Sequence, residues 1–92
     1  MVDNPKVVVN RTVLLECPVE GIPPPEVRWL KDSAPLVLTK FMTLVSDGRQ
    51  LEIANAQVSD TAVYTCIAIN EAGELTRNFE LDVLGKLLYL VS

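Results

Sequence analysis

The chain is 92 residues long, 49% apolar and 22% charged, which is the balance of one folded globular domain and not of a disordered segment. Its 12 acidic residues against 8 basic ones leave a net charge of −4, which argues against nucleic acid or another polyanion as partner, because phosphate binding needs clustered Lys and Arg. Histidine is absent, and with it go the commonest general base, the commonest metal ligand and the usual pH switch.

A chain of this size buries roughly 65% of the surface its unfolded form exposes, so its core is thin and a covalent staple matters. Two cysteines, Cys17 and Cys66, are available for one. Met1 to Lys6 has no apolar h-region, and no apolar run approaches the ~20 residues of a membrane span. Contact of this segment with a membrane is therefore not expected, and a secretion signal or anchor is expected only in a longer parent chain.

Taken in order, the segments are short and show period-2 alternation with no sustained helical stripe, so the chain reads as all-β. Val7 to Val9 is the first strand candidate. After the polar turn Asn10-Arg11, Val13, Leu15 and Cys17 share one face, with Leu14 and Glu16 on the other. Gly21 to Pro25 cannot supply a run of ladder donors and reads as a stiff connection into the strand Val27 to Lys31, where Val27 and Trp29 face inward. Asp32 to Pro35 reads as a turn, and Leu36 to Met42 is apolar without clean alternation. Asp47-Gly48 suits a tight hairpin between Leu44 and Leu51, because both positions tolerate positive φ. Leu51 and Ile53 alternate with Glu52. The clearest strand follows, with Ala62, Tyr64, Cys66 and Ala68 on one face and Val63, Thr65, Ile67 and Ile69 on the other. Asn70 to Gly73 closes a hairpin onto a last strand in which Phe79, Leu81 and Val83 point one way. About seven strands with turns every 8 to 12 residues indicate a sandwich or barrel.

Cys17 and Cys66 stand 49 positions apart on inward-alternating strands, with Trp29 twelve residues after the first. Asp60-Thr61-Ala62-Val63-Tyr64-Thr65-Cys66 has the form D-x-[AG]-x-Y-x-C, Leu51-Glu52-Ile53 the form L-x-I, and Asn70-Glu71-Ala72-Gly73 a tight turn. In these features, over about residues 7–84, the chain resembles the immunoglobulin superfamily, and within it the I-set type. The run Gln57 to Glu74 is similar to modules of long extracellular arrays such as the hemicentins. The resemblance implies a two-sheet antiparallel β-sandwich over residues 1–84, followed by an apolar tail at 85–92.

It also implies roles for individual residues. Cys17 and Cys66 would form a disulfide between the sheets, and closing that loop would stabilise the fold by roughly 4 kcal/mol. Trp29 would fill the space beside the sulfurs, the Tyr64 hydroxyl would bond to backbone a few residues upstream, Asp60 would accept hydrogen bonds at the same corner, and Leu51 would belong to the core. Cys17 comes early for this family, so strand A is expected to be incomplete, with a sheet edge left open. The tail after Leu84 is apolar and strand-prone, and such a segment beside an open edge invites pairing within the chain or with a second copy.

No catalytic or metal constellation is recognisable. Glu71 and Glu74 lie on a solvated turn, no calcium-loop spacing occurs, the cysteines lack CxxC spacing, and Pro23 to Pro25 sits inside the domain and not in an exposed linker. The expectation is a non-enzymatic module without cofactors whose surface carries its function. Leu30, Val63, Ile67 and Ile69, rimmed by Arg28, Asn78 and Glu80, are the candidate protein-binding face. Asn10-Arg11-Thr12 is the one N-x-[ST] sequon, at a turn exposed enough for a glycan. Sequon and cysteines favour an extracellular module of a matrix or adhesion protein that acts as spacer and interaction unit, with neighbouring modules as partners. The alternatives are an intracellular cytoskeletal module of the same type and a ligand-binding receptor domain.

Overall fold

The computed structural model describes residues 2–85. Their strands are β1 (Val2–Asp3), β2 (Lys6–Val8), β3 (Val13–Glu16), β4 (Glu26–Lys31), β5 (Ala34–Pro35), β6 (Met42–Val45), β7 (Gln50–Ile53), β8 (Ala62–Asn70) and β9 (Gly73–Leu84), with one 3₁₀ turn at Val58–Asp60. They form two sheets. One has the order β1-β9-β8-β4-β5 with β2 also on β9, and the other is β3-β7-β6. Pairing is antiparallel except where β1 and β2 run parallel to β9.

The alternation read from the sequence puts its apolar half between the sheets. Leu15, Leu51 and Ile53 from one sheet and Trp29, Tyr64, Cys66, Phe79 and Leu81 from the other are all buried. Cys17 and Cys66 join the sheets in a disulfide whose Cα atoms are 6.1 Å apart, and Trp29 lies directly across from Cys66 on the neighbouring strand. The indole also packs on Phe79 at 5.8 Å between ring centres, while its N–H donates to the Gly48 carbonyl at 2.7 Å. A buried indole donor is costly when unpaired, so this bond fixes the β6–β7 loop against the core.

The corner before β8 is built as compactly. The Tyr64 hydroxyl donates to the Asp60 carbonyl at 2.6 Å, and the Asp60 carboxylate accepts from the Gln57 N–H at 2.8 Å. Burial first, and then the negative charges of Asp60 and Asp32, push the Tyr64 phenol up to about 12.

Several local expectations are corrected. Asp32 to Pro35 is not all turn. Asp32 and Ser33, with φ of 50° and 70°, form a two-residue hairpin loop, and Ala34–Pro35 pairs back on β4. Asp47-Gly48 does not make a two-residue hairpin. The register Val45↔Gln50 leaves a four-residue loop, Ser46 to Arg49, in which Ser46, Asp47 and Gly48 all take positive φ. Between Leu36 and Met42 only Met42 belongs to a strand.

The chain's start also differs in detail. The first strand begins at Val2, earlier than Val7, and β1 and β2 both lie on β9. The Arg77 guanidinium grips the Asp3 carboxylate through Nε at 3.1 Å and Nη2 at 3.0 Å, which holds β1 in place. Among the described residues nothing pairs with the outer edge of β3, so an open edge lies there. β9 ends at Leu84, and of the apolar tail expected at 85–92 all but Gly85, with the expected pairing, lies outside the described residues.

Candidate protein-binding face

The outward side of the larger sheet is set by the same alternation that buries its inward side. On β8, Tyr64, Cys66 and Ala68 point into the sandwich, so Val63, Thr65, Ile67 and Ile69 must stand on the outside. The flanking strands complete four rows across the face. Ile69 lies between Glu26 and Glu74, Ile67 between Arg28 and Thr76, Thr65 between Leu30 and Asn78, and Val63 beside Glu80.

The structure therefore gathers Leu30, Val63, Ile67 and Ile69 onto one surface, as a column on β8 widened by Leu30. Val63 is 38% exposed and Ile69 40%, while Leu30 and Ile67 are half-buried by their neighbours. Thr65 interrupts the column but is not free to seek a partner, since its hydroxyl donates to Asn78 Oδ1 at 2.7 Å. Arg28 turns along its own strand to Glu26, Nε to Oε1 at 3.0 Å, so the one cation of the rim is paired with an exposed carboxylate. Glu74 and Glu80 on the far side leave the frame acidic. An apolar centre inside a polar rim is the anatomy of a protein contact.

Cys17, Cys66, Trp29, Leu51 and Tyr64 are all buried away from this face, and Asp60 sits at the corner below β8. Asn10 is exposed on the turn between β2 and β3, off the face altogether.

One surface feature escaped the sequence reading. The connection between β3 and β4 and the turn between β8 and β9 enclose a shallow groove of about 350 Å³, lined by Val19, Ile22, Ala68 and Leu75 among others. Ile22 is 96% exposed and Leu75 45%. Leu75 has the inward parity of Phe79 and Leu81 but is half-exposed, and alternation alone carries no signal of where burial along β9 stops. Asn70 ties the two loops together. Its Nδ2 donates to the Pro23 carbonyl at 2.9 Å, and its Oδ1 accepts from the N–H groups of Ala72 and Gly73. Gly21 makes room for that amide, since a Cβ there would stand 2.8 Å from Asn70 Nδ2.

Comparison with known proteins agrees with this geometry. The model of the Immunoglobulin I-set domain matches residues 1–83. Human Hemicentin-1 is 48% identical over 81 residues, covering 88% of this chain, and the chain spans only 1% of that protein's length. Among solved structures, the Titin M10-Obscurin like 1 Ig complex superposes with a TM-score of 0.79 at 32% identity, over 91% of this chain and 87% of that one. The N-terminal four Ig domains of Dscam1 isoform 6.9 give 0.82 at 26%, over 91% of this chain and 23% of that one. With disulfide, tryptophan, tyrosine corner and two-sheet topology all in place, the chain belongs to the immunoglobulin I-set family.

Proposed function

We propose that this I-set domain is a non-catalytic module of an extracellular matrix or adhesion protein, and that it docks another immunoglobulin module through the outer face of β4, β8 and β9. The observation that carries the reading is the half-exposed apolar column Leu30, Val63, Ile67 and Ile69 inside an acidic frame. Burial of this column would supply affinity, at roughly 25 cal/mol per Å² of apolar surface removed from water before the costs of association. Its frame would supply selectivity. With Arg28 engaged by Glu26, the charges of Glu74 and Glu80 favour a partner whose contact surface has Lys or Arg at its margin.

Two further findings support the reading. The closed, buried Cys17–Cys66 bridge is of the kind that persists in oxidising compartments, and human Hemicentin-1 is a relative at 48% identity. A solved relative at 32% identity is itself a complex of titin M10 with an obscurin-like Ig domain, so a pair of immunoglobulin modules has a precedent among the similar structures. That same likeness favours a second reading, an intracellular cytoskeletal module with reduced thiols.

Immobilised immunoglobulin modules from the parent protein, probed with this domain, test the proposal. Ile67→Asp/Ile69→Asp should weaken binding at least tenfold while the fold is retained, and Leu14→Asp, on the opposite outer face, should leave it unchanged. Equal binding by all three rejects the face. Thiol counting on native protein separates the compartments, because free Cys17 and Cys66 favour the intracellular alternative.

A further inference from the structure

We propose that Asn10 carries an N-linked glycan, placed beside the end of β9. The inference rests on the extracellular reading, because the modification takes place in the secretory pathway.

The residues Asn10, Arg11 and Thr12 form the sequon, and all three are exposed. They lie on a firmly held turn. The Asn10 N–H donates to the Ala56 carbonyl at 2.8 Å, the Ala56 N–H to the Arg11 carbonyl at 2.9 Å, and the Arg11 N–H to the Val8 carbonyl at 3.1 Å. Asn10 takes φ of 74°, a conformation asparagine tolerates better than other non-glycine residues. The two atoms of its amide have different surroundings. Oδ1 accepts from Gln57 Nε2 at 3.0 Å, whereas Nδ2, the atom that would bear the sugar, has no hydrogen-bond partner among the described residues. A glycan on Nδ2 thus displaces no hydrogen bond of the folded domain, and the Gln57 bond to Oδ1 holds the exposed amide by its other atom.

The covalent step balances with a lipid-diphosphate-linked oligosaccharide as donor. A bond forms between Asn10 Nδ2 and the anomeric carbon of the first sugar, and the bond from that carbon to the diphosphate oxygen breaks. The lipid diphosphate leaves with the electron pair, and one amide proton is lost to the transferase's base.

Register gives the glycan its position. Val8 pairs with Leu84, and the Val9 N–H donates to the Leu84 carbonyl at 2.8 Å, so Asn10 stands next to the end of β9. A bulky, hydrated sugar there covers the β2–β3 turn beside the end of β9. It leaves Leu30, Val63, Ile67 and Ile69 uncovered, since none of the residues around Asn10 belongs to that face.

Full-length protein carrying this domain, recovered from medium or matrix and from cytosol of the cells that make it, supplies the test. After amidase release of N-glycans in heavy-oxygen water, the peptide containing Asn10 should show Asp with the heavy label. The label should vanish in Asn10→Gln and Thr12→Ala and persist in Thr12→Ser. Secreted protein with a closed Cys17–Cys66 bridge and unmodified Asn10 overturns this proposal alone. Protein confined to the cytosol with both thiols free overturns the extracellular reading and the glycan with it.

Discussion

Removing the bridge between the sheets is the perturbation whose size follows most directly from the structure. Cys17 and Cys66 stand 49 positions apart, and in the chain-entropy treatment a closed loop of about that length raises the free energy of the unfolded chain by roughly 4 kcal/mol. A domain of this size has only ~5–15 kcal/mol in total, so roughly a quarter or more of its stability is at stake. Urea unfolding of the wild type, the reduced wild type and Cys17→Ala/Cys66→Ala measures it. With a slope of ~1.5 kcal/mol/M, a loss of that size lowers the midpoint by roughly 2.5 M. Both sulfurs are buried beside Trp29, and the double variant adds a small cavity term that the reduced protein lacks. The reduced protein should therefore lie within ~1 kcal/mol of the double variant. If reduction left the midpoint within ~0.5 M of the oxidised protein while the double variant fell, packing of the sulfurs and not loop closure would be the source, and the reasoning would fail.

The other expectations concern single side chains. Tyr64 keeps its proton in the folded state to about 12, against about 10 in the unfolded chain, so the stability this contributes is complete below pH 10 and is lost as pH rises towards 12. Between those values the wild type should lose roughly 1.4 kcal/mol per pH unit relative to Tyr64→Phe, which costs about 1 kcal/mol at neutral pH for its lost bond to the Asp60 carbonyl. Parallel stability curves for the two proteins across that window would contradict the assignment. Leu51 and Leu44 are cross-strand partners with opposite exposure, 0% and 40%. Leu51→Ala should cost about 2–5 kcal/mol and Leu44→Ala under ~1 kcal/mol in thermal or urea unfolding, and similar costs would show that burial does not set the difference.

Much of the fold could be read from residue parity. Leu15 and Cys17, Leu51 and Ile53, and Tyr64, Cys66 and Ala68 keep strict alternation because each strand has one face in a single thin core, so one inward residue assigns the rest. The tyrosine corner was equally legible, since Asp60 and Tyr64 are four residues apart and their bond is local. The same parity placed Val63, Ile67 and Ile69 outside. What escaped depends on partners distant in sequence. The Ser46 to Arg49 loop takes its form where the Gly48 carbonyl meets the Trp29 indole, 19 residues away. β1 is held by Arg77 on Asp3, a pair 74 residues apart with no local pattern to announce it. Leu75 follows the inward rule but is half-exposed in the groove between the β3–β4 connection and the β8–β9 turn, two segments about fifty residues apart.

Whether the domain works through the outer face of β4, β8 and β9 is most directly measured by amide chemical-shift mapping of the isotope-labelled domain as unlabelled immunoglobulin modules of its parent protein are added. The account predicts shifts concentrated at Leu30, Val63, Ile67 and Ile69 and along the Glu74 to Glu80 rim, weakening as salt is raised. Shifts confined to β3 and β7, or to the groove around Ile22 and Leu75, would place the contact elsewhere and contradict it.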